Sequence, residues 1–124
     1  MINNSLVVCA DVGGTHITTA LVDMNKRAIV PGTSGREQVN SHAEATEIIS
    51  TWGKALARLA DSTAVDKLSI AIPGPFDYEE GVSLIHGQDK YESIYKLNVK
   101  DLLEESLGME KENISLINDA AAFL

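Results

Sequence analysis

Apolar and polar positions divide the chain into short segments of two different periods. Leu6-Val7-Val8-Cys9-Ala10 is a near-continuous apolar run, the pattern of a strand covered on both faces of a sheet. Ile17 to Asp23 alternates and predicts a second strand. Arg27-Ala28-Ile29-Val30 predicts a short third, ended by Pro31-Gly32. Turns this short make the three strands antiparallel. Thr33 to Asn40 is polar and reads as a loop. Ser41-His42-Ala43-Glu44 then has the spacing of a capping box with Ser41 as N-cap. Ile48, Ile49, Trp52, Leu56 and Leu59 follow at helical spacing. Gly53 inside that helix costs about 1 kcal/mol against Ala, which points to close packing against the sheet.

Leu68-Ser69-Ile70-Ala71-Ile72 predicts a fourth strand, closed by Pro73-Gly74-Pro75. Strand, helix, strand is a crossover, so this strand is expected parallel to its neighbour with a right-handed connection. Phe76 to Ile85 reads as a loop and short hairpin around Glu80-Gly81, with Glu79 and Glu80 in a solvated turn. His86 to Lys96 is a polar loop dotted with aromatics. Asn98 caps a second helix with Val99, Leu102, Leu103 and Leu107 on its apolar face, and Gly108 ends it. Glu104 and Glu105 are expected to face solvent. Ile114-Ser115-Leu116-Ile117 is the fifth strand. Asn118-Asp119 ends it, and Ala120-Ala121-Ala122-Phe123-Leu124 begins a helix. The order βββαβαβ predicts an α/β fold with a mixed five-stranded sheet and flanking helices.

Composition narrows the partners. A chain of 124 residues fits one domain with a real core, and 44% hydrophobic with 23% charged residues is ordinary for a globular protein. The formal net charge of -8, with a pI near 4.7 and no basic run, excludes nucleic acid and anionic membrane surfaces as expected partners. An anionic nucleotide would need a metal and backbone dipoles for local neutralisation. The single cysteine, Cys9, reads as a buried small hydrophobe and allows no internal disulfide. With no basic n-region before residue 6 and no apolar stretch of membrane-spanning length, the expected location is the cytoplasm.

Three motifs fall at predicted strand ends. Asp11-Val12-Gly13-Gly14-Thr15 joins the first two strands. Glycines let backbone N–H groups approach a phosphate, Thr15 adds a hydroxyl, and the Asp11 carboxylate can hold a metal-bound water. The same residues also suit an ordinary hairpin turn. They are neither a Walker A loop nor a dinucleotide fingerprint. Pro73-Gly74-Pro75 and Asn118-Asp119 follow the fourth and fifth strands, where open α/β sheets bind ligands. One edge is thus expected to gather a glycine turn, two carboxylates and an amide. Asp119, standing before an alanine run, also suits a helix N-cap. Trp52 reads as core, His42 as a surface residue near the cap, and His16 as a polar residue opening a strand.

These motifs, in this order and on this background, resemble the N-terminal domain of ROK-family sugar kinases. That family is glucokinase-like and lies within the actin/hexokinase/Hsp70 ATPase superfamily, with a ribonuclease H-like fold. The resemblance is carried by Asp11 to Thr15, by Ala71-Ile72-Pro73-Gly74-Pro75-Phe76-Asp77 with Gly81, and by Ile117-Asn118-Asp119-Ala120-Ala121-Ala122. It implies an ATP-dependent transfer of phosphate to a hydroxyl of a hexose or N-acetylhexosamine. Asp11 would hold a Mg²⁺-bound water, and Gly13, Gly14 and Thr15 would lie against the phosphates of ATP. Gly74 and Asn118 would contact the sugar, and Asp119 would be the catalytic base. Residues 1–124 would be the N-terminal lobe, inactive alone for want of the family's second domain. The apolar patch such a separation exposes would allow homodimers. Two departures are His16, where the family often has Lys or Asn, and His86-Gly87-Gln88-Asp89-Lys90-Tyr91, in the place of the family's sugar loop. The alternative is a non-catalytic sugar-sensing regulator of the same family. It is disfavoured because a DNA-binding domain has no room ahead of the first strand. An actin- or chaperone-like ATPase is disfavoured by Asn118-Asp119.

Overall fold

The computed structural model of the chain describes residues 5–119. In chain order these form β1 (Leu6–Val12), β2 (His16–Asp23), β3 (Ala28–Ile29), β4 (Gly35–Gln38), α1 (Ala45–Thr63) and β5 (Leu68–Ile72). Then come β6 (Phe76–Asp77), β7 (Val82–Ser83), α2 (Val99–Leu107) and β8 (Ile114–Asn118). The helical start expected at 120–124 lies outside the described residues.

The main sheet runs β3-β2-β1-β5-β8, with β4 also paired to β2. β1, β2, β3 and β4 pair antiparallel, and β1, β5 and β8 pair parallel, so the sheet is mixed as expected. It has six strands rather than five, because Gly35–Gln38 is a strand and not a loop. Arg36, Glu37 and Gln38 are all exposed. An edge strand with no apolar face is held by its backbone pairing to His16–Thr19 and leaves no hydrophobic period to read.

Alternation along β1 sends Val8, Ala10 and Val12 into the core and leaves Asp11 exposed. Ile17 and Leu21 of β2, Leu68, Ile70 and Ile72 of β5, and Ile114 and Leu116 of β8 join the same core. Cys9 is only half-buried, on the opposite face with Ala20 and Ser69, so the expectation of a strand covered equally on both faces is corrected. Burial is still enough to push the Cys9 thiol up from its ordinary value.

The predicted stripe of α1 is buried throughout, with Trp52 in the core. The capping box does not form. Glu44 occupies the N-cap without a side-chain bond, while Asn40 Oδ1 accepts the His42 N–H at 3.0 Å in a local turn. Ser41 is instead buried, its carbonyl accepting the Tyr91 N–H at 2.8 Å. Gly53 packs against α2 rather than the sheet: a Cβ there would stand 2.7 Å from Ser106 Oγ. Asn98 does cap α2, accepting the Asp101 N–H at 3.0 Å, and Gly108 ends it at φ 68°. β6 and β7 form the predicted hairpin. Among the described residues no helix is long and apolar enough to cross a membrane.

Candidate functional site

The three motifs leave the sheet at one level. Asp11 is in register with Ala71, and Ala71 with Ile117. Neighbouring strands lie about 4.8 Å apart, so Asp11 and Ile117 are about 10 Å apart across β5. Gly13, Pro73 and Asp119 each stand two residues beyond that row. Asp11 falls on the face away from the helices, with Thr18 and Ala71 beside it. Asn118 falls on the helix-side face, in register with Ile72.

The first motif is a three-residue turn between β1 and β2. The Gly13 N–H donates to His16 O at 2.8 Å, and the Val39 N–H donates to Thr15 O at 2.8 Å, fastening the turn to the end of β4. The Tyr91 hydroxyl donates to Gly13 O from the other side. Neither Gly13 nor Gly14 has a left-handed φ. A Cβ on Gly13 would meet nothing nearer than 3.5 Å, and one on Gly14 nothing nearer than 3.7 Å. Nothing within the described chain therefore demands glycine at either position. Two missing side chains on an exposed turn leave its backbone open to close approach from outside. Arg36 Nη2 donates to His16 Nδ1 at 3.3 Å, which makes that nitrogen an acceptor, and Thr15 Oγ1 donates to it at 2.8 Å. His16 thus orients Thr15.

The second and third motifs meet through Tyr78, which the sequence pattern did not single out. Its hydroxyl donates to Ile72 O at 2.7 Å and accepts from Asn118 Nδ2 at 3.0 Å. Gly74, joined to Pro75 by a cis peptide, lies under this pair: a Cβ there would stand 3.2 Å from the Tyr78 hydroxyl and 3.7 Å from Asn118 Nδ2. The Tyr78 ring stacks on Phe76, with centroids 5.3 Å apart. Burial pushes its phenol above the ordinary value; the Asn118 bond opposes this, and the negative charge of Asp119 adds to it. Asp119 is half-buried in the turn after β8.

The polar loop 86–96 is tied down at several points. Glu92 accepts the Gly87 N–H and bonds His86 Nδ1 at 3.0 Å, and the Gly87 bond first and the His86 bond second lower its carboxyl. His86 stacks on Tyr95, with centroids 4.7 Å apart. His42, exposed as expected, donates through Nε2 to Asp89 O at 2.7 Å. Ser93 Oγ donates to Ala43 O at 2.7 Å. Tyr91 is fully buried, with its ring 5.5 Å from Trp52, and burial pushes its phenol up to about 12.

Among the described residues no three His, Cys, Asp or Glu side chains gather as a metal cage. A single exposed carboxylate at Asp11 still suits Mg²⁺, which keeps several waters and binds through one or two carboxylates together with substrate phosphates.

No protein-family model and no curated protein matches the chain. Solved structures of sugar kinases and of ROK-family proteins share its fold. An inorganic polyphosphate/ATP-glucomannokinase from Arthrobacter sp. strain KM superposes with a TM-score of 0.78 at 24% identity, over 96% of this chain and 46% of that one. A ROK family glucokinase from Streptomyces griseus, solved with glucose and AMPPNP, gives 0.74 at 23% identity, over 94% and 34%. A ROK family transcriptional regulator, a homolog of the E. coli MLC protein, gives 0.72 at 14%, over 95% and 28%. The chain therefore has the α/β fold found in part of ROK-family sugar kinases and of at least one ROK regulator. It spans less than half the length of each of these proteins.

Proposed function

We propose that residues 1–124 are the N-terminal lobe of an ATP-dependent sugar kinase of the ROK family, with the ribonuclease H-like fold of actin-like ATPases. The observation that carries this reading is the common exit level of β1, β5 and β8. It sets an open glycine turn on one side of the edge and the Gly74–Tyr78–Asn118 cluster with Asp119 on the other. In this reading Gly13, Gly14 and Thr15 bind the phosphates of ATP, and Asp11 holds Mg²⁺ through a water. The metal supplies charge neutralisation when bound. Gly74 and Asn118 contact the hydroxyls of a hexose or N-acetylhexosamine, and Asp119 accepts the proton of the attacking hydroxyl. Phosphoryl transfer asks the protein chiefly for positioning and electrostatics, which a rigid sheet edge supplies. In this reading the protein acts in the cytoplasm, and a second domain of the full kinase would close the site.

ADP release is the test, measured over a panel of hexoses and N-acetylhexosamines. The 124-residue chain should release none. A longer protein containing it should turn over one sugar, and Asp119→Asn should lower kcat by about 10²–10⁴-fold, the usual worth of a general base. An Asp119→Asn enzyme at wild-type rate would remove Asp119 from the role of base. The fold shared with a transcriptional regulator supports a second reading, a sugar sensor. Sugar binding without turnover by the longer protein would select it.

A further inference from the structure

The His86–Tyr91 segment departs from the family pattern, yet the structure brings its lysine to the glycine turn. We propose that Lys90 supplies the positive charge of the phosphate site, its ammonium pairing with phosphate oxygens held against Gly13 to Thr15. This rests on the reading of that turn as phosphate-binding.

Placement is the first argument. Lys90 Cδ lies 3.7 Å from where a Cβ on Gly14 would be, so the aliphatic stem lies along the bare glycine. The ammonium is two bonds beyond that carbon, within reach of a phosphate held at the turn. Backbone fixation is the second. The residues on either side of Lys90 both occupy the left-handed region, Asp89 at φ 58° and Tyr91 at φ 57°. Non-glycine residues stay there where their surroundings hold them, and here the holds are visible. Asp89 O accepts from His42, the Tyr91 N–H donates to Ser41 O, and the buried Tyr91 hydroxyl donates to Gly13 O. The last bond ties the segment carrying Lys90 directly to the turn it serves. Charge is the third. Lys111 pairs with Asp101 and Lys100 bonds Glu79 O, whereas Lys90 has no hydrogen bond or ion pair among the described residues. In a chain of net charge -8 an arriving polyphosphate meets repulsion at long range, and a free cation beside the turn offsets it locally.

The experiment is a titration of the ¹⁵N-labelled 124-residue chain with magnesium tripolyphosphate at low salt, followed by amide shifts. Wild type should show saturable shifts at Gly13, Gly14 and Thr15. Lys90→Gln should weaken the dissociation constant about 10-fold, the scale of one charge-assisted hydrogen bond, with the rest of the spectrum unchanged. Lys90→Arg should stay within about 3-fold of wild type, because it keeps the charge. Lys26→Gln removes an equal charge from the turn after β2, at the far end of that strand, and should leave binding unaltered. Shifts at the turn with equal affinity in wild type and Lys90→Gln would overturn the role of Lys90 and leave the turn as a phosphate site. No shift at Gly13 to Thr15 in wild type would overturn the phosphate reading itself, and the role of Lys90 with it.

Discussion

Tyr78→Phe isolates one hydroxyl that joins two strand ends. The ring and its stacking on Phe76 are kept. The variant removes the 2.7 Å bond to Ile72 O and the 3.0 Å bond from Asn118 Nδ2. Ile72 is fully buried, so its carbonyl loses a donor where water does not replace it. Asn118 is half-buried and recovers part of its loss from solvent. A net cost of about 1–2 kcal/mol follows from a neutral buried hydrogen bond plus a partly exposed one. At this chain length 1 kcal/mol is roughly 4 °C in Tm, so a fall of about 4–8 °C is expected. Trp52, the single tryptophan and fully buried, provides the fluorescence readout of unfolding. The sign with pH is also set. The Tyr78 phenol is raised in the folded state, chiefly by burial, so its stabilisation is complete below the ordinary tyrosine value near 10. The difference between wild type and variant should therefore be constant from about pH 6 to 9, and should shrink as pH rises through the raised value. The Asn118 side-chain amide resonances should move as well. Equal Tm values, with the Asn118 resonances unmoved, would show that Tyr78 does not hold Asn118 and would refute the reasoning.

Gly81→Ala combines a left-handed φ of 89° with a Cβ that would stand 2.9 Å from Lys100 Cβ, so urea unfolding should show a loss of about 1–3 kcal/mol. Tyr91, raised to about 12 by burial, holds its proton more tightly in the folded state, so the stability it contributes is whole below pH 10 and lost between pH 10 and 12. Wild type should lose Tm more steeply than Tyr91→Phe across that window, and parallel profiles would remove Tyr91 as the titrating group.

What was legible in the sequence is what has a local period. Leu68–Ile72 coincides with its predicted strand, and the caps Asn98 and Gly108 stand where the residue types placed them. Apolar spacing likewise marked the buried face of α1. The failures lie where long-range pairing overrides local chemistry. Ser41 has the side chain of an N-cap, but its carbonyl is recruited by Tyr91, fifty positions along the chain, and the helix begins later. Gly35–Gln38 carries no apolar side to betray a strand, because its partner on the sheet is backbone.

The candidate site divides in the same way. Residues inside the motifs, Asp11 to Thr15, Gly74, Asn118 and Asp119, could be named because each motif is contiguous. The residues that hold the motifs together could not. The Tyr91 hydroxyl meets a carbonyl 78 positions away, and Tyr78 meets Asn118 across 40. Nothing within a few residues of either tyrosine distinguishes it from an aromatic in a polar loop. Both do the same physical work: a phenol long enough to cross a gap presents one hydroxyl to a backbone carbonyl at a strand end or turn. Tyr91 fixes the glycine turn from the side of α1, and Tyr78 fixes Asn118 from the side of the β6–β7 hairpin. The two halves of the edge are thus held by separate elements, and each can be loosened by a single hydroxyl without disturbing the other. If the edge works as a kinase site, Tyr91→Phe should weaken phosphate binding and Tyr78→Phe sugar binding, each leaving the other ligand's affinity in place.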